Sequence, residues 1–203
     1  MINFLFAGVL SFLGCVATVA KEESSKTPQD TAEESLPITW NECGHEIGQH
    51  PCDFTFLNQH GEEVSLYDYH GKPVLIDMST MWCSFCAVAA IELTEVKSEY
   101  QNIGLETLIL LFENGAREQP SQEDLEYWAD MAGTEDNVLS TSTDILNADK
   151  DLGWNLAGWP TFYVVDEHMV VRGSLTGFHP EMVRDLVEDS LGAHGAPHGP
   201  LND

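Results

Sequence analysis

The chain has 203 residues, 43% of them hydrophobic, which suits one packed domain with flanking segments. Eight Lys and Arg against 34 Asp and Glu give a net charge of −26. Nucleic-acid binding is excluded on that balance, because phosphate recognition needs clustered cations, and the acidity implies a heavily hydrated exterior.

Ile2 to Ala20 contains no charged side chain, and its apolar start closes on Ser11-Phe12-Leu13-Gly14-Cys15. A short apolar run ending in small residues predicts an export segment over 1–20 rather than part of the fold. Gly14-Cys15 resembles a bacterial lipobox, which implies lipidation at Cys15. An uncleaved anchor is the alternative, since about 20 apolar residues span a bilayer. Both place the remainder outside the cytoplasm, held at a membrane. Residues 21–42 are rich in Glu, Ser, Thr and Lys and are expected to form a flexible tether. Residues 192–203, rich in Gly, Pro and His, are expected to be a disordered tail. The domain is then 43–191.

Without Cys15, four cysteines remain: Cys43, Cys52, Cys83 and Cys86. An even number in an oxidising compartment suggests two pairs, and the spacing favours Cys83 with Cys86 and Cys43 with Cys52. The segment Cys43-Gly-His45 to His50-Pro-Cys52 also offers a thiolate and imidazole set suited to zinc or copper(I), so a metal site at Cys43, His45, His50 and Cys52 stands as the alternative to a structural disulfide.

Pro73 to Met78 is an apolar, partly β-branched run that predicts a buried strand. From Ala87 the pattern becomes helical, with Ala87, Val88, Ile91, Val96 and Tyr100 as the expected apolar stripe. Cys83 and Cys86 thus sit where a strand passes into a helix. The helix N-terminus offers free N–H groups and partial positive charge, both of which favour a thiolate at Cys83. Cys83 is expected to be the exposed nucleophile, and Cys86, one turn in, the resolving thiol. Downstream, Leu105 to Phe112 predicts a strand, Gln122 to Ala132 a helix capped by Ser121, Thr161 to Asp166 and Met169 to Leu175 a hairpin, and Glu181 to Leu191 a final helix.

Trp82-Cys83-Ser84-Phe85-Cys86, with Asp77 six residues upstream and Gly158-Trp159-Pro160-Thr161 downstream, resembles the thioredoxin superfamily. The segments from Asp53 to Ile76 resemble the start of the TlpA/ResA-like redoxins. The resemblance covers about 45–191. It implies an α/β thioredoxin fold, a central mixed sheet flanked by helices, and thiol–disulfide oxidoreductase activity. It makes Asp77 the proton acceptor for Cys86 and Pro160 a cis-proline facing the cysteines. Trp82, Trp159, Pro160 and Thr161 would then line the substrate groove. No diffusible cofactor is implied, because the cysteine pair carries the electrons. The implied partners are exported thiol or disulfide proteins and an upstream redox protein. Reduction is the favoured direction. Two rivals share the fold. A metallochaperone would need a distal ligand, for which His168 is the candidate. A peroxidase would use Thr80-Met81-Trp82-Cys83, but Ile76 replaces the expected proline and no Arg lies nearby in sequence.

Overall fold

The computed structural model describes residues 37–143, 145 and 153–192. The expected export segment with Cys15, most of the tether and the tail from 193 lie outside them. A short antiparallel hairpin, β1 (Thr55–Leu57) and β2 (Glu63–Ser65), comes first. The strand β3 (Val74–Ser79) then leads into helix α1 (Ser84–Glu99). They are followed by β4 (Glu106–Leu111), α2 (Gln122–Ala132), β5 (Asn137–Ser140), β6 (Thr161–Val165), β7 (Val171–Thr176) and α3 (Pro180–Leu191). The main sheet runs in the order β5-β4-β3-β6-β7. β3, β4 and β5 are parallel, β6 runs against β3, and β7 runs against β6, so the sheet is mixed. This is a thioredoxin fold.

β3 is the middle strand, and all six of its residues are buried. Its alternation assigns the two sheet faces. Ile76 and Met78 join Leu108, Leu110, Tyr163 and Val165 in a core closed by Phe54, Val64, Leu66 and Trp154. On the opposite face, Leu75 meets Leu93 and Val96 of α1 and Val183 and Val187 of α3. Farther along that face, Ile109 and Leu111 meet Cys83, Cys86 and Ala90, with Leu125 and Trp128 of α2.

α1 is placed as expected, but its buried stripe is not Ala87, Val88 and Ile91. The helix buries Cys86, Ala89, Ala90, Leu93 and Val96, and leaves Val88 and Ile91 about half exposed. The helix is apolar around most of its girth, so periodicity alone does not fix its inward face. The two alanines let it approach the sheet closely, and the larger aliphatics turn outward. β5 was not expected: Asn137-Val-Leu-Ser has two apolar residues, too few for a periodic signal. The domain also begins earlier than residue 43. Trp40 stacks on His50 with ring centroids 4.0 Å apart and donates to the Tyr67 hydroxyl at 3.0 Å.

Cys43 and Cys52 are joined as a disulfide. Their loop is sewn to β7, Gly48 N–H donating to the Val171 carbonyl (2.8 Å) and Val171 N–H to that of Gln49 (2.9 Å). His50 Nδ1 lies 2.6 Å from the Met169 carbonyl oxygen. The zinc or copper alternative is corrected on this point: the two sulfurs bond each other, and His50 is engaged with backbone and Trp40. No group of three or more His, Cys, Asp or Glu suited to a metal occurs among the described residues.

The reassigned face of α1 gives a direct check. Leu93→Ala is expected to cost about 2–5 kcal/mol by urea unfolding, and Ile91→Ala about 0.5 kcal/mol or less. Equal costs would mean that α1 turns its other side to the sheet.

Candidate active site

Cys83 is the N-cap of α1, with extended backbone angles (φ −90°, ψ 112°). Its Sγ accepts the Cys86 N–H at 3.2 Å. The first-turn amide therefore points at the sulfur that would carry negative charge, as a helix N-terminus solvates an anion. Both thiols are free. Cys83 is 9% exposed and Cys86 is fully buried. The order is the expected one, but Cys83 is covered more than an exposed nucleophile would be: Met81, Ala87 and Trp159 pack against its cluster.

Beneath the pair lies Asp77, fully buried on the face of β3 turned toward α1. Burial pushes its carboxyl up to about 7, against a smaller downward pull from the Ser79 hydroxyl, which donates to Oδ1 at 2.6 Å. Burial also raises the Cys86 thiol well above the cysteine range. Its hydrogen bond with Cys83 and the charge of Asp77 add to this. The two groups suit a handover: a thiol that resists ionising beside a carboxylate that readily takes a proton near neutrality.

Trp159-Pro160 is a cis peptide, and Pro160 is buried with its carbonyl accepting from Gly177 N–H at 2.8 Å. Trp159 packs against the cysteine cluster and tilts on Phe112, with ring centroids 5.0 Å apart. The Thr161 hydroxyl donates to the Gly158 carbonyl (2.8 Å) and lies 3.1 Å from that of Thr176, so it braces the loop. Trp82 is partly exposed and donates Nε1–H to Glu113 at 2.6 Å. The Arg117 guanidinium lies 4.1 Å from the Trp82 ring centroid, a cation–π contact, and 3.9 Å from Glu113.

Glu113 and Arg117 escaped the sequence reading because they lie in the loop after β4, more than 30 residues from Trp82, where no local pattern marks them. Ser79 was missed because the expected strand stopped at Met78. The period of two along β3 puts it on the face of Asp77. The structure removes His168 from the site. It lies beyond Val165, at the Val74 end of β3, whereas Cys83 follows the Ser79 end. It is exposed and 3.7 Å from Glu167. The Cys43–Cys52 loop, bound to Val171, also lies at the Val74 end, away from the cysteine pair. Of the peroxidase residues, Thr80 is buried with no hydrogen-bond partner for its hydroxyl among the described residues.

Fold and site together define a TlpA/ResA-like protein of the thioredoxin superfamily. Residues 47–174 match the AhpC/TSA family, and the chain belongs to that family. It is 28% identical over 149 residues to the thioredoxin-like protein YneN of Bacillus subtilis (strain 168), covering 71% of this chain and 82% of that one. Identity to the thiol-disulfide oxidoreductase ResA of Geobacillus kaustophilus (strain HTA426) is 27% over 146 residues, covering 71% and 76%. Among solved structures, a putative thiol:disulfide interchange protein DsbE from Chlorobium tepidum superposes with a TM-score of 0.58. It is 18% identical, and the match covers 73% of this chain and 97% of that one.

The buried carboxyl sets a pH dependence. Its folded value of about 7 lies above the ordinary 3.8, so the folded chain holds a proton that the unfolded chain has lost between those values. Stability therefore falls as pH rises through that window and levels off above it. Asp77→Asn removes the dependence. The stability of the variant relative to the parent is expected to rise between pH 4 and pH 8, by up to about 4 kcal/mol in urea unfolding. Any fixed cost of burying the amide moves the whole curve without changing that slope.

Proposed function

We propose that this protein is an extracytoplasmic, membrane-held thiol–disulfide oxidoreductase that reduces disulfides in exported proteins. The observation that carries the reading is Cys83 capping α1 under the Cys86 amide, with buried Cys86 and Asp77 behind it. In the reduced protein the Cys83 thiolate attacks a substrate disulfide. One substrate sulfur leaves as a thiolate, and the other is held to Cys83 in a mixed disulfide. Cys86 gives its proton toward Asp77 and attacks Cys83 Sγ. The substrate's second sulfur leaves, and the Cys83–Cys86 bond forms. Two electrons have passed to the substrate, and an upstream dithiol must return them. No diffusible cofactor takes part.

The location is supported by the apolar segment before residue 20, with Cys15 as the residue to be lipidated or an anchor in its place. The Cys43–Cys52 disulfide supports it independently, since such bonds persist in oxidising compartments. A folded or partly folded protein substrate is favoured by the apolar collar of Trp82, Phe85 and Val88. Phe85 is 64% exposed directly between the two cysteines. Trp159, Pro160 and Thr161 form the facing loop, so substrate would lie between that loop and the N-terminus of α1.

Equilibration of the Cys83–Cys86 pair against dithiothreitol, in the variant with Cys43 and Cys52 changed to Ser, is expected to give a potential of about −250 mV or below. A value near about −120 mV would identify a disulfide-inserting oxidant. Cys86→Ser is expected to accumulate mixed disulfides through Cys83, and Cys83→Ser to lose exchange altogether. A Cys83→Ser protein that still reduced disulfides would end the proposal.

A further inference from the structure

Asp77 and Cys86 do not hydrogen-bond each other directly; the carboxylate acts on the thiol through its charge. The group that acts on both is the Ser79 hydroxyl. It donates to Asp77 Oδ1 at 2.6 Å, and as a hydrogen-bonding group it draws the Cys86 thiol down against the upward push of burial. Asp77 and Ser79 project from the same face of β3, two residues apart, and Ser79 is the one nearer the turn into α1. Asp77, Ser79 and Cys86 are all fully buried, so bulk water has no access to the thiol that must be deprotonated. A hydroxyl can donate and accept at once, which a methyl or an amide N–H in the same place cannot do.

We propose that Ser79 is the proton relay between the resolving thiol Cys86 and Asp77. This rests on the exchange reaction proposed above and assigns one of its steps. In the mixed disulfide, Cys86 transfers its S–H proton to Ser79 Oγ as the Ser79 hydroxyl proton passes to Asp77 Oδ1. Ser79 ends neutral, with one proton received and one given, and Asp77 ends as the carboxylic acid. The Cys86 thiolate attacks Cys83 Sγ, the Cys83–substrate S–S bond breaks, and the leaving substrate sulfur takes the electron pair. The Cys83–Cys86 bond forms, so the protein pair is oxidised by two electrons and the substrate disulfide reduced by two. Asp77 Oδ2 has no hydrogen-bond partner among the described residues, so one oxygen holds the relay and the other is uncommitted. The carboxyl, pushed up to about 7 by burial, is a proton acceptor matched to neutral pH.

The two chemical steps separate the relay from a packing role. A peptide disulfide with a fluorescent thiol leaving group, mixed with the reduced protein in stopped flow, reports attack by Cys83 first and release by Cys86 second. Ser79→Ala is expected to leave the first rate within about twofold and slow the second about 100-fold at pH 7, the order general acid–base assistance supplies. Loss of the serine hydrogen bond also moves the pH profile of the second step upward, because that bond holds the carboxyl down. Ser79→Thr, which keeps the hydroxyl, restores most of the second rate. Asp77→Asn combined with Ser79→Ala is no slower than Asp77→Asn alone, as for two parts of one device. Ser79→Ala releasing substrate at the parental rate, or losses that multiply in the double variant, overturns the relay and leaves the oxidoreductase reading standing. A parent protein that forms no mixed disulfide through Cys83 overturns both.

Discussion

Confinement of β3 governs the rest of the molecule. It is paired on both edges, parallel to β4 and antiparallel to β6, and covered on both faces by separate apolar clusters. A side chain on such a strand meets no water, so a carboxyl placed there pays the full desolvation cost. That cost keeps Asp77 protonated over most of the acid range and makes it basic near neutrality. The same strand ends within four residues of the N-cap Cys83, so the position that buries the acid also aims it at the helix carrying both thiols. Placement of the carboxyl and placement of the cysteines are thus one structural decision.

The electrostatics outside this strand are of a different kind. Among the described residues all five Lys and Arg are paired with acids. Arg184 makes a two-pronged contact with Glu99, tying the end of α1 to α3. Lys97 bridges Glu106 and Asp136 between α1 and the ends of β4 and β5. Lys72 also faces Glu106, Arg172 faces Asp166, and Arg117 faces Glu113 beside Trp82. The scarce cations sit at junctions between elements, and other carboxylates, such as Asp68 and Asp124, close capping boxes instead. The chain is strongly acidic, yet apart from Asp77 the lining near the cysteines is largely apolar, with Ile109, Leu111, Leu125 and Trp128.

Local pattern made β3, α1, β4, α2, the β6–β7 hairpin and α3 legible in sequence, because each has a run or a period long enough to be distinctive. Cys83 and Cys86 were legible through their spacing at the strand-to-helix turn, and Asp77 and Pro160 through the resemblance of their surroundings to the thioredoxin superfamily. What escaped depended on neighbours distant in sequence. The inward face of α1 is chosen by the sheet and by α3, and Val88 and Ile91 look as apolar as Leu93 until those partners are in place. β5 exists because β4 offers an edge to Asn137–Ser140, not because those four residues favour a strand. Glu113 and Arg117 reach Trp82 only through the register of β3 on β4, which sets Ser79 beside Leu111 and brings the next loop under the cysteine turn.

The resulting site is asymmetric in depth, and this asymmetry orders the chemistry. Cys83 keeps a sliver of exposure at the rim, beside a clamped Trp82 and an outward Phe85. Cys86 has none, and the polar groups that act on it are Cys83, the Thr80 backbone, Asp77 and Ser79. A substrate sulfur can therefore meet only the outer thiol, and the inner thiol can meet only the outer one. Cys83 Sγ accepts a first-turn helix amide. Cys86 is held protonated by burial until a base is supplied from within. In the exchange proposed above, the outer thiol meets substrate first, and the inner one follows by the proton transfer proposed along β3. That sequence would let a mixed disulfide form before it is resolved.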